Sequence, residues 1–166
     1  MNKVIELKSY LYETFLQQAE NHAKSRDFHK AIKVYTKAIE LLPDDWRAYF
    51  YRGRAYSNTM DYGEAVSDYT MVIKLKPDHV EAYTWRGIDL GELTYYQQAI
   101  DDFDRAIELE PTNEKLYFFR GNAYQRLTQG KQGWEDLKTA ARMGDPLVQE
   151  YLMLRGVQWD KPVEVS

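Results

Sequence analysis

Three arginines, Arg52, Arg86 and Arg120, are each followed sixteen residues later by an aspartate, Asp68, Asp102 and Asp136. A guanidinium is a rigid fork of donors that stays charged, and a carboxylate accepts it through two oxygens. Such residues either neutralise one another inside a fold or leave the arginines as a ladder of anion sites. Pairing is the stronger reading, because partly buried charges are usually partnered. Where Gln18 replaces the arginine, Val34 replaces the aspartate, so the two types come and go together. The other chemistry-bearing side chains do not converge. His22, His29 and His79 lie far apart in metal-ligand or nucleophile terms, and the glycines of Arg52-Gly53 and its copies are isolated ones rather than a phosphate loop. The absence of cysteine excludes a thiolate nucleophile, a thiolate metal site and a disulfide scaffold. The expectation is no catalytic residue, no metal and no cofactor. His22 is expected to be a half-buried imidazole, and His29 and His79 solvated loop residues.

The elements that position these residues repeat. Pro43, Pro77 and Pro111 stand 34 residues apart, and each can end a helix, since proline lacks an amide donor and biases its predecessor away from helix. Apolar residues recur at spacings of three and four, which predicts paired helices in every segment. First helices are expected near 4–25, 46–59, 80–93 and 114–128, and second helices near 28–42, 62–76, 96–110 and 131–143. Asp44 or Asp45, Asp78, and Thr112 or Asn113 are the expected caps of the later first helices. Small residues, Ala19, Gly53, Gly87 and Gly121 on first helices and Ala31, Ala65 and Ala99 on second ones, mark where the two must approach. Gly133 stands where a further alanine is expected. Each arginine then meets the aspartate of its own repeat.

Aligned on the prolines, one segment reads Tyr49, Arg52-Gly53, Tyr56, Ala65, Tyr69 and Pro77, and the next Tyr83, Arg86-Gly87, Leu90, Ala99, Phe103 and Pro111. The fourth reads Tyr117, Arg120-Gly121, Tyr124, Leu137 and Ala140, and a looser first copy Phe15, Ala19, His22, Ala31, Tyr35, Ala38 and Pro43. This pattern resembles the tetratricopeptide repeat (TPR) signature over about residues 12–145. The Arg-Gly form and the ending Ala-Ala-Arg-Met-Gly-Asp look like small stand-alone bacterial TPR proteins. The resemblance implies an all-α, right-handed α-α superhelix with repeats at about 12–45, 46–79, 80–113 and 114–145, in one domain. A solenoid needs its ends covered. Gly144, Asp145 and Pro146 can end one helix and start a closing helix over about 146–155, whose Leu147, Tyr151, Leu152 and Leu154 are expected to cover the last repeat, with Trp159 packing back from a tail reaching residue 166.

A chain of 166 residues with a net charge of −4 argues against a partner held by its phosphates, so no nucleic acid is expected. Charged residues interrupt Met1–Phe15, and no stretch approaches the roughly 20 apolar residues of a membrane span. The expectation is a cytoplasmic protein without membrane insertion.

In the family, ligands usually touch first-helix residues on the inside of the superhelix. Those places hold Glu13, Leu16, Gln17, Glu20 and Lys24 in repeat one, and Arg47, Phe50, Tyr51, Arg54 and Asn58 in repeat two. They hold Glu81, Thr84, Trp85, Ile88 and Glu92 in repeat three, and Lys115, Phe118, Phe119, Asn122 and Arg126 in repeat four. Tyr51, Trp85 and Phe119 share one register and either anchor a ligand or pack between helices. The residues of the Hsp70/Hsp90 carboxylate clamp are missing: Leu16, Glu20, Tyr51, Glu81 and Trp85 occupy its places in repeats one to three, and only Lys115 agrees in repeats two to four. The implied function is a non-catalytic adaptor receiving a protein or peptide segment. The alternative is a scaffold that self-assembles through the amphipathic start, Val4, Ile5, Leu7, Leu11 and Phe15, or the convex face.

Overall fold

The computed structural model describes residues 2–159, and the part of the expected tail over 160–166 lies outside them. The described residues form nine α-helices and no strand. Two compact units meet in sequence between Asp89 and Leu90. The first holds α1 (Asn2–Lys24), α2 (Phe28–Leu41), α3 (Trp46–Asn58), α4 (Tyr62–Leu75) and α5 (Val80–Glu92) as far as Asp89. The second holds the end of α5, then α6 (Tyr96–Leu109), α7 (Glu114–Arg126), α8 (Gly130–Arg142) and α9 (Pro146–Leu154). Every expected helix is present, with ends within two residues of those read from the sequence. The prolines act as expected: α2, α4 and α6 end two residues before Pro43, Pro77 and Pro111.

The caps repeat with the same period. Asp45 accepts the Arg47 amide at 2.9 Å, and Asn113 accepts that of Lys115 at 3.2 Å. In the copy between them the cap is His79 rather than Asp78, with Nδ1 accepting the Ala82 amide at 3.3 Å. His79 is therefore not a solvated loop residue. It is 5% exposed, against Trp46 and Phe50, and burial holds its pKa below the usual imidazole range, which keeps Nδ1 free to accept. Each turn from a first to a second helix contains one left-handed residue, Arg26, Met60, Thr94 and Thr128, with φ between 60° and 66°. There the amides of Asp27, Asp61, Tyr95 and Gln129 close back on the carbonyls of His22, Tyr56, Leu90 and Tyr124 at 2.9–3.0 Å. This closure satisfies carbonyls that a helix end leaves open.

In the first unit Tyr49, Phe50, Ala65, Tyr69, Val72 and Ala82 form one core cluster, while Ala19, Ala31, Tyr35 and Ala55 form another. In the second unit Leu137, Ala140, Ala141, Val148 and Leu152 form the core under α9. The closing helix is capped by Asp145 and begins with Pro146 as expected, but its covering face is offset. Val148 and Leu152 are buried, whereas Leu147 and Leu154 are 76% and 80% exposed. The Asp145 cap fixes this phase by receiving the Leu147 and Val148 amides. Tyr151 stacks on Trp134, and Trp159 packs back with its carbonyl accepting Arg142 Nε at 2.8 Å.

Gly133 has a packing cause. A Cβ there would lie 2.7 Å from the Gly121 carbonyl oxygen and 2.8 Å from Gln125 Cγ. Gly133→Ala should therefore destabilise by about 1–3 kcal/mol, although alanine is the better helix former by ~1 kcal/mol. Gly130→Ala, where a Cβ meets nothing within 4 Å, is the matched control expected to be neutral or stabilising in thermal melts.

Candidate peptide-binding face

Arg52 Nε and Nη2 donate to the two oxygens of Asp68 at 2.8 and 2.7 Å, and Arg120 does the same to Asp136 at 2.7 and 2.8 Å. Each arginine also has a partner on the preceding second helix: Thr36 for Arg52 at 2.9 Å, Thr70 for Arg86 at 3.0 Å and Asp104 for Arg120 at 2.6 Å. These partners were missed in the sequence, although 36, 70 and 104 repeat the 34-residue step. Arg52 lies over Tyr49 and Tyr56, and Arg120 over Tyr117 and Tyr124, with the guanidinium carbon 5.6–6.0 Å from the ring centres. The bonds to Asp136, opposed by burial and supported by Asp104, raise the pKa of Arg120. Burial dominates at Asp68, pushing its carboxyl up against the pull of Arg52. Arg52 and Arg120 therefore hold the stack together and offer no free fork to an anion.

The first unit carries a cleft of about 200 Å³ lined by Glu13, Leu16, Gln17, Glu20, Tyr35, Arg47 and Tyr51. Helices α1 and α3 supply six of these from the anticipated stripe, and Tyr35, which the sequence reading assigned only to the core, comes from α2. Arg47 is held at 2.7 Å by Asp45 and at 2.8 Å by Glu13, and it lies over the Tyr12 ring. Tyr51 stacks on Tyr35 with ring centres 6.1 Å apart, yet remains 40% exposed. Arg54 is exposed over Trp85 at 5.2 Å, and Asn58 returns its amide to the Arg54 carbonyl at 2.7 Å. Glu81 is exposed, Ile88 half-buried.

Phe50 must be corrected. It is 6% exposed and packs edge-on to Trp46 and Tyr51, with Tyr69 and His79 completing its surroundings. A phenylalanine on the inner edge of a first helix can turn into the interhelical core, and neighbouring aromatic rings here give it a place to turn. A second buried group was also missed: Ser57 Oγ donates to Asp89, itself 2% exposed, and lies 3.1 Å from Tyr69 Oη.

The second unit repeats the aromatic arrangement. Phe119 stacks on Phe103 at 5.9 Å as Tyr51 does on Tyr35, and Phe118 is half-buried against the α8–α9 core. Packing therefore occupies both phenylalanines, while Lys115, Asn122 and Arg126 stay exposed. Among the described residues no group of three or more His, Asp or Glu side chains converges as a metal site. No described helix is long and apolar enough to cross a membrane.

Family models described as tetratricopeptide repeat match residues 16–80 and 80–113. The chain is a tetratricopeptide repeat protein. No curated protein matches its sequence. MamA from Desulfovibrio magneticus RS-1 is 20% identical with a TM-score of 0.76, over 80% of this chain and 75% of that one, a likeness of fold. The first TPR of Spaghetti (RPAP3), bound to the HSP90 peptide SRMEEVD, is 25% identical with a TM-score of 0.70 over 72% of this TPR chain and 95% of that one. The Arabidopsis OM64 TPR domain is 26% identical with a TM-score of 0.68, over 71% and 98%.

Proposed function

We propose that this TPR protein is a non-catalytic adaptor of the cytoplasm that receives a segment of another protein on its first-helix face. The observation that carries the reading is the cleft between α1 and α3, where an exposed tyrosine, Leu16 and several polar groups line one concavity. Interaction sites commonly combine aromatic and apolar anchors with a few orienting polar groups. RPAP3 bound to a peptide supports the same use of the fold. That peptide, SRMEEVD, is acidic. Here Glu13, Glu20 and Glu81 stand on the corresponding first helices, and the clamp residues are absent, so a chaperone C-terminus is not the proposed ligand.

A photo-crosslinking residue at Gln17 should trap a partner in cells, whereas one at exposed Lys33 on α2 should trap far less. Equal yields at both positions would contradict the assignment. The second reading, self-assembly, is favoured by Val4, Ile5, Leu7 and Tyr10, which are 57–70% exposed on α1. Sedimentation at several concentrations separates it: a concentration-dependent rise in mass abolished by Val4→Ser/Leu7→Ser supports a scaffold, and a constant monomer mass opposes it.

A further inference from the structure

The cleft also indicates which side chain it takes, an inference that rests on the adaptor reading. Arg47, the one cation among the described residues lining the cleft, is already neutralised by Asp45 and Glu13 at 2.7 and 2.8 Å, so admitting a ligand carboxylate there would mean breaking a doubly held pair. Glu20 is held far more loosely: Lys24 reaches one oxygen at 3.4 Å from a side chain 67% exposed, and Gln17 the other at 3.3 Å. Beside it stands Tyr35, which is 2% exposed and lines the cleft. Burial, then the Glu20 charge, raises the Tyr35 pKa, so the group is a neutral hydroxyl with acceptor capacity to spare. Tyr51 adds an exposed aromatic surface, which favours cations.

We infer that the cleft is a subsite for a lysine or arginine side chain of the partner segment, with Glu20 as counter-ion, the Tyr35 hydroxyl as acceptor and Tyr51 flanking the cation. An acidic side chain or a terminal carboxylate would meet Glu13 and Glu20 instead, and like charge at an interface is a strong discriminator. A partner lysine would displace Lys24, which swings back to solvent at little cost because exposed pairs contribute so weakly.

The test uses the full chain and a displayed library of random octapeptides with amidated C-termini. Wild type should select sequences enriched at least fivefold in Lys or Arg at one position. Glu20→Gln with Tyr35→Phe should lose that enrichment at that position alone, and Glu20→Lys should shift it towards Asp or Glu, each variant being checked by its melting curve. If a variant fails to melt like wild type, the wild-type profile and a titration of lysine-scanned against norleucine-scanned copies of the selected peptide decide instead. Selection of apolar or acidic peptides without a basic position, with crosslinks still mapping to Gln17, overturns the cation subsite while leaving the adaptor reading standing. Failure to select any peptide, with no crosslink at Gln17, overturns both.

Discussion

Arg120→Ala is expected to destabilise the second unit by about 3–5 kcal/mol, the cost of leaving a buried charge without its partner. Asp136 is 8% exposed and receives two guanidinium bonds at 2.7 and 2.8 Å, and Asp104 receives a third at 2.6 Å. The replacement would leave two carboxylates facing the same empty space. Arg120→Ala/Asp136→Asn should cost clearly less than the sum of its single mutants, because neutralising Asp136 removes the penalty. Arg120→Lys should recover only part of the loss, since a point charge cannot bridge both oxygens of Asp136 and reach Asp104 as well. Hydrogen exchange of α7 and α8 amides is the suitable measurement, as repeat proteins need not unfold in one step. Additive single-mutant effects would contradict the pairing.

Phe50→Ala is expected to cost about 3–5 kcal/mol in the first unit, the usual range for emptying an aromatic site in a core. The lost ring leaves Trp46, Tyr69 and His79 without a shared neighbour, including the imidazole whose Nδ1 caps α5. Asn122→Ala, at an exposed position on α7, should change stability by about 0.5 kcal/mol or less. Equal melting temperatures for the two variants would show that Phe50 is not the core residue described here.

The contrast between these positions shows what was readable in the chain. Pro43, Pro77 and Pro111 with the apolar period located α1 to α8, and Gly144, Asp145 and Pro146 located α9, because these signals are local and do not depend on tertiary neighbours. The pairing of Arg52 with Asp68 and of Arg120 with Asp136 was legible from co-occurrence at fixed spacing. Phe50 and Tyr51 are adjacent on one helix, and residue type alone does not tell which ring turns inward; that depends on Trp46 and His79 around it. Tyr35 was assigned to the core on its register, and it is 2% exposed, but register alone does not show that it also lines the cleft with residues of α1 and α3. The left-handed Arg26, Met60, Thr94 and Thr128 include no glycine or asparagine, so no residue type announces the turn and it is imposed by the packed helices. The offset of α9 follows from the same limit: Leu147 is apolar but sits in the first turn and is 76% exposed, while Val148 beside it is buried.

Partner binding in the first-helix cleft is the central claim. The measurement that tests it is calorimetric titration of the segment trapped at Gln17 against wild type, Gln17→Trp and Lys33→Trp. Filling the cleft mouth with tryptophan should weaken binding at least tenfold, about 1.4 kcal/mol, with melting unchanged, while Lys33→Trp should bind as wild type does. Wild-type affinity in a folded Gln17→Trp protein, or an equal loss in Lys33→Trp, would contradict it.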